Sequence, residues 1–264
     1  MRIVFLSFLL ISTLFSSSLH LSEKDANYVA KKVWQNEGAG KDKYLVWWNK
    51  GEDFASVGIG HFIWFPKGHT ERFREVFPMY VNFMKKKGEK LPSWLNNKTA
   101  FPWKTKAAFF KAKKAKTKQY QELFNFLKST MPQQAEFMAM RLSNALPEML
   151  KSISSTQKKS LIKQRFNEVM YNKNGTVNKR GLYVLLDYTN FKGEGTLKSE
   201  RYKGEGWGLL QVLEHINPNE ENKQKAFSFS AKSMLSRRIK NSPPKRGEER
   251  WRKGWNIRLD TYWK

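Results

Sequence analysis

From Trp103 to about residue 171, apolar side chains recur at helical spacing almost without interruption. "KTKAAFFKAKKAKTKQYQELFNFLKST" sets Ala107, Phe110 and Ala115 on helical turns, and "QAEFMAMRLSNALPEML" and "SLIKQRFNEVMYN" continue the pattern. Pro147 is expected to break the second of these, and Asn174-Gly175 to turn the chain after the third. "GLYVLLDYTNFKGEGT" and "GEGWGLLQVLEHINP" are two more apolar helical segments across a glycine-rich loop, with a further helix to about Lys240. A tail, "NSPPKRGEERWRKGWNIRLDTYWK", is basic, aromatic and Pro-interrupted, and is expected to wrap over the rest. No internal repeat and no linker divides the chain.

One stretch departs from this regime. In "YLVWWNKGEDFASVGIGHFIWF", residues 44–65, β-branched and aromatic residues are punctuated by glycines, which predicts a small β-hairpin or meander. Ahead of it, Ser22 followed by Asp25 marks a helix start, Tyr28, Val29, Val33 and Trp34 give the period, and Gly38 and Gly40 end it. Pro66, Gly68 and Pro78 read as loop markers. The expected fold is therefore mainly α with a small β-hairpin (α+β), a single domain over 21–264.

Residues 1–20 have the order of an export signal: Arg2, an apolar run from Ile3 to Phe15, then small Ser16, Ser17 and Ser18. The run is short for a stable membrane span, so the expectation is a periplasmic or secreted monomer without stable membrane insertion. The chain has no cysteine, which removes disulfides, thiol catalysis and Cys-type zinc sites. His69 and His215 lack a second ligand at i+3 or i+4, so neither a metal nor a cofactor is expected. A formal charge of +26 calls for an anionic partner. Outside the cytoplasm that means cell-wall polymers and peptidoglycan rather than nucleic acid.

Glu37 closes the first helix, where a carboxylate meets the unfavourable end of the macrodipole and needs another reason to be there. Covered by Trp34, Tyr44 or Trp47, it is expected to have a raised pKa suited to proton donation. On the facing hairpin Glu52 or Asp53 can take a second role, and Ser56 can hold a water, the set that glycosidic cleavage requires. No G-x-S-x-G turn and no phosphate loop compete with this reading.

A helix ending in Glu-Gly, an acid and a hydroxyl on a hairpin, then "VGIGH" at 57–61 resembles the phage-type (T4-like) lysozymes over about residues 25–65. The resemblance implies a lysozyme-like fold, Glu37 as general acid, Ser56 in the place of the family's threonine and a structural His61. The interval from Glu37 to Ser56 is longer than in that family, and neither Glu52 nor Asp53 falls at its aspartate offset. "GLLQV" at 208–212 is similar to the "GLMQ" motif of soluble lytic transglycosylases, with Glu194, Glu200 and Glu205 upstream of it. The chain as a whole also resembles exported bacterial lysozyme-like proteins, including a deacetylation-specific group. These likenesses imply an enzyme that cuts peptidoglycan glycan strands, by hydrolysis or by attack of the muramyl 6-hydroxyl. The alternative is a non-catalytic basic cell-wall binder. Candidate substrate contacts are Trp48, His61, Tyr188, Asn190, Glu194 and Gln211.

Overall fold

The computed structural model describes residues 21–68 and 74–264, so the expected export signal at 1–20 and His69 lie outside the described residues. Helix α1, Glu23–Gly38, starts where Ser22 accepts the Asp25 amide at 3.1 Å. Ala26, Val29, Ala30 and Val33 form its buried stripe, and Ala39 leaves it in the left-handed region at φ 50°.

Three short strands follow: β1 Val46–Trp47, β2 Ala55–Val57 and β3 Phe62–Trp64. They form one antiparallel sheet in the order β1-β2-β3, with Trp47 opposite Ser56 and Ser56 opposite Ile63. Gly58 turns the chain between β2 and β3 at φ 74°.

Pro66 and Gly68 precede, but Pro78 does not mark a loop: it sits in the first turn of α2, Phe77–Lys86. A proline is tolerated there because the first amides of a helix have no intrahelical partner. The helical stretch resolves into α3 Lys106–Lys114, α4 Lys118–Ser129, α5 Met131–Lys151 and α6 Thr156–Met170. In α3 the buried face is Phe109 and Ala112, whereas Phe110 is 37% exposed. The inward position goes to Phe109 because its ring meets Phe101, Trp103 and Tyr120. Helix α5 runs through Pro147 rather than breaking there. The proline forfeits a single ladder bond, while Leu142, Ala145 and Met149 keep that part of the helix buried on both sides of it.

Helix α7, Lys179–Lys192, is buried from Gly181 through Thr189, all round its circumference, which makes it the central helix. Helix α1 packs on both α5 and α7. A ribbon, β4 Arg201–Tyr202 with β5 Glu205–Gly206, leads into α8 Leu209–Glu214, α9 Lys223–Asn241 and α10 Arg252–Asp260. Trp255, Leu259 and Tyr262 bring the tail back into the core. The architecture is thus mostly helical with a small antiparallel sheet near its start. Among the described residues, no helix is long and apolar enough to cross a membrane.

One buried side chain of α5 hydrogen-bonds the turn between β2 and β3. Gln134, fully buried, accepts the Ile59 amide at 2.8 Å and donates to the Leu127 carbonyl at 2.7 Å. A Cβ on Gly58 would lie 2.4 Å from Gln134 Oε1. Gly58→Ala should therefore cost about 1–2 kcal/mol from the left-handed backbone. Displacing Gln134 adds about 1–3 kcal/mol for the unpaired Ile59 amide. A lowered urea midpoint at unchanged m-value checks this, and a midpoint equal to the parent's refutes it.

Candidate active site

Glu37 sits in the last turn of α1, its side chain 15% exposed, between the hairpin, the end of α7 and α10. Three groups define its surroundings. Arg258 of α10 donates from Nη2 to Glu37 Oε1 at 2.6 Å. Asn190 of α7 donates to the same oxygen at 3.4 Å and to the Gly60 carbonyl at 2.9 Å, tying helix to hairpin. His61 Nδ1 lies 3.5 Å from Oε2. The carboxylate at an unfavourable helix end is thus held by groups from three distant segments.

Arg258 is itself placed by Asp187. Its Nε and Nη2 reach Asp187 Oδ2 and Oδ1 at 2.8 and 2.9 Å, a two-pronged grip. Asp187 is fully buried and also accepts from the Tyr262 hydroxyl at 2.7 Å and from Asn36 at 3.2 Å. Asn36 donates to the Tyr183 hydroxyl as well, which pairs with Thr261. Phe191 lies under the guanidinium, 4.0 Å from its centre. The arginine is therefore fixed independently of Glu37.

The electrostatics reverse one expectation. Burial pushes the Glu37 pKa up, but Arg258, His61 and Asn190 together outweigh it and hold the carboxyl below its ordinary value. The sequence shows the apolar cover and not the cation, which arrives from 221 positions away. Burial lowers the His61 pKa, and Arg258 adds to this against the fields of Glu37 and Glu52. His61 Nε2 is buried and makes no hydrogen bond among the described residues.

The hairpin residues divide. Glu52 accepts from Asn49 at 3.0 Å within the turn, and its charge is felt at His61. Asp53 is half-buried in the same turn. Ser56 is buried at the centre of the sheet. Among the described residues no hydrogen bond or ion pair joins Glu52, Asp53 or Ser56 to the Glu37 carboxylate.

Three of the expected substrate contacts point elsewhere. Trp48 is 3% exposed: its ring meets Phe101 edge-on and its Nε1 donates to the Glu52 carbonyl. Successive strand residues face opposite ways, so Trp47 is the one left partly outside. Trp47 packs with Tyr44 and Phe110, with the Lys113 ammonium 4.7 Å from its ring. Tyr188 is fully buried, donating to the Trp207 carbonyl at 2.6 Å. Gln211 is buried at the start of α8, accepting from the Gly208 amide and donating to the Gly195 carbonyl. It braces the glycine-rich loop: a Cβ on Gly195 would lie 2.2 Å from its Oε1.

Glu194 is half-buried in that loop, within the field of Arg141. Glu200 turns inward and accepts the Gly195 and Leu197 amides, and Glu205 pairs with Arg237 at 3.0 Å. Among the described residues none of the three is hydrogen-bonded or ion-paired to Glu37, and "GLLQV" braces the loop through Gln211.

Arg258, Asp187 and Lys192 join the cluster although the sequence does not mark them as site residues. Lys192 lies between Phe191 and Trp255, its ammonium 3.8 and 3.7 Å from the ring centres. Burial and the nearby Arg238 and Arg258 push its pKa well down. The only sequence signal for the cluster was an aspartate inside an otherwise apolar helix, which demands a buried cation. Among the described residues no three metal-binding side chains gather. Comparison with protein-family models, with curated proteins and with solved structures finds no match.

Proposed function

We propose that this protein is an exported, lysozyme-like muramidase that cleaves peptidoglycan glycan strands with Glu37 as general acid. One observation carries the reading: a half-buried carboxylate at a helix end, gathered beside a glycine-turned hairpin by Arg258, Asn190 and His61. Such a carboxylate is a functional candidate because its surroundings act on its proton affinity from several directions.

In the free protein Glu37 rests ionised near neutrality, so it must take up a proton before it can give one. Burial is the largest influence on it and favours the neutral acid. A glycan laid over the carboxyl removes its remaining water and strengthens that influence. Arg258 keeps its full grip on Asp187 while this happens. The proton then passes to the glycosidic oxygen as the bond to the leaving sugar breaks. A water then bonds to the anomeric carbon, directed by Glu52, Asp53 or Ser56 and giving its proton to a carboxylate, and the product has a reducing end. If no water is so placed, the muramyl 6-hydroxyl bonds to the anomeric carbon instead, its proton returns to the Glu37 carboxylate, and the product has an anhydro end.

The basic surface suits an anionic wall, and affinity for it should fall as salt rises. Purified sacculi digested with the parent protein and read by mass spectrometry test the proposal. Muropeptides with reducing ends support hydrolysis, and anhydro ends support the intramolecular route. Binding without any released product refutes the enzyme and leaves a non-catalytic wall binder.

A further inference from the structure

A polar cleft of about 530 Å³ opens between the start of α6, the β4-β5 ribbon, α8 and α9, a size suited to a small ligand. Its charged lining is Lys158 of α6, Arg201 and Glu205 of the ribbon, Glu214 of α8 and Arg237 of α9. None of the residues that gather around Glu37 lines it. Thr196 and Gln211 do, so the cleft abuts the glycine-rich loop that Gln211 braces. That loop leaves the end of α7. Thr196 follows Asn190 by six positions, which places them at most about 20 Å apart on a fully extended chain. The cleft is thus distinct from the candidate acid and within reach of it.

The contacts within the cleft leave its charges incompletely answered. Lys158 pairs with Glu214 at 2.8 Å and Arg237 with Glu205 at 3.0 Å, each pair using one carboxylate oxygen. Arg201 has no carboxylate partner among the described residues. Its guanidinium donates to the Gly195 carbonyl at 2.9 Å and the Gly204 carbonyl at 3.2 Å, which orient the fork and leave its charge in place. Arg237 donates to the Gly206 carbonyl at 2.8 Å, but its Nε is buried and has no acceptor among the described residues. A charged donor shut from water without an acceptor is costly, so this guanidinium is one bond short. Three cations therefore face two carboxylates. A purely anionic ligand would meet Glu205 and Glu214, and a neutral one would leave Arg201 unanswered. A ligand that carries both a carboxylate and an amine answers both signs.

We propose that this cleft binds a short peptide segment bearing a free carboxylate and a free amine, the carboxylate against Arg201 and Arg237 and the amine against Glu205 and Glu214. The Arg237 side chain is 26% exposed, so a small rotation turns its Nε to the incoming carboxylate. Identifying the segment as the stem peptide of a wall strand rests on the glycan-cleaving reading of Glu37. An extended peptide of about five residues spans about 17 Å, comparable with the reach from Asn190 to Thr196. A strand held at Glu37 lays its peptide in the cleft, and peptide-bearing strands become the preferred substrate.

The test is a binding titration of the full chain with acetyl-alanyl-lysyl-alanine, which has one carboxylate and one amine, with its C-terminal amide and with its lysine-acetylated form. The parent should bind the first probe roughly 10- to 100-fold more tightly than the amide, the loss of one charge-assisted pair, and more tightly than the acetylated form. Arg201→Gln should lose a similar factor on the first probe and none on the amide, and Arg201→Lys should recover part of it. Lys86→Gln, which removes an exposed charge on α2, is the control for net charge and should change nothing. Equal binding of the three probes by the parent overturns the proposal, and this comparison stands even if Arg201→Gln does not fold. So does a loss in Lys86→Gln as large as in Arg201→Gln. Probe discrimination without any product from sacculi refutes the muramidase and leaves the peptide cleft standing. Product from sacculi without discrimination refutes the cleft and leaves the muramidase.

Discussion

Glutamine in place of Glu37 should reduce muropeptide release from purified sacculi by about 10²- to 10⁴-fold, the range supplied by a positioned general acid. The substitution keeps the shape and an oxygen that can accept from Arg258 and Asn190, and removes the negative charge and the transferable proton. Arg258 stays anchored, because its two bonds to Asp187 do not involve position 37. Wall binding should therefore persist in the variant while products disappear. Unchanged product release would remove Glu37 from the mechanism. The same pair of proteins reports on stability. A carboxyl whose pKa is lowered by folding contributes stability above its unfolded pKa and loses that contribution as pH falls through its folded pKa. The difference in unfolding midpoint between parent and Glu37→Gln should accordingly be largest near neutrality and shrink in acid below the usual carboxylate range.

Arg258→Met should be the most damaging single change to the fold. It leaves Asp187 fully buried with only Tyr262 and Asn36 as partners, and breaking a buried pair from one side costs about 3–5 kcal/mol. Arg258→Lys keeps the charge but not the fork, and a lysine cannot serve Asp187 at two points while also reaching Glu37. It should fold with a smaller loss and carry the informative kinetics. A general acid must be protonated, so kcat/KM falls as pH rises through the free-protein pKa of Glu37. Arg258 holds that pKa low, which places the falling limb on the acid side for the parent. Weakening the pair raises the pKa and moves the limb to higher pH in Arg258→Lys. A limb that stays in place, or moves toward acid, would show that Arg258 does not govern the proton of Glu37.

Local features were legible because they depend on neighbours in the chain. Ser22 caps α1, with Glu37 in its last turn, because a hydroxyl three positions ahead of an amide and a pair of glycines suffice to start and stop a helix. The sheet lies where glycines interrupt β-branched and aromatic residues. Pro147 misled because a proline's cost is local, whereas the packing of Leu142, Ala145 and Met149 that carries the helix past it is not. Trp47 and Trp48 are indistinguishable by composition, and only the strand register decides which ring enters the core.

The sequence by itself thus determined a mainly helical chain with a small sheet at its start and put a carboxylate at the junction of the two. Tertiary structure alone decided the charge state of that carboxylate. Arg258, Asp187, Asn190 and His61 are far apart in the chain, and Coulomb and hydrogen-bond energies depend on their separation in space. The apolar neighbours of Glu37 predict an upward shift, and one arginine delivered by the folded tail reverses its sign.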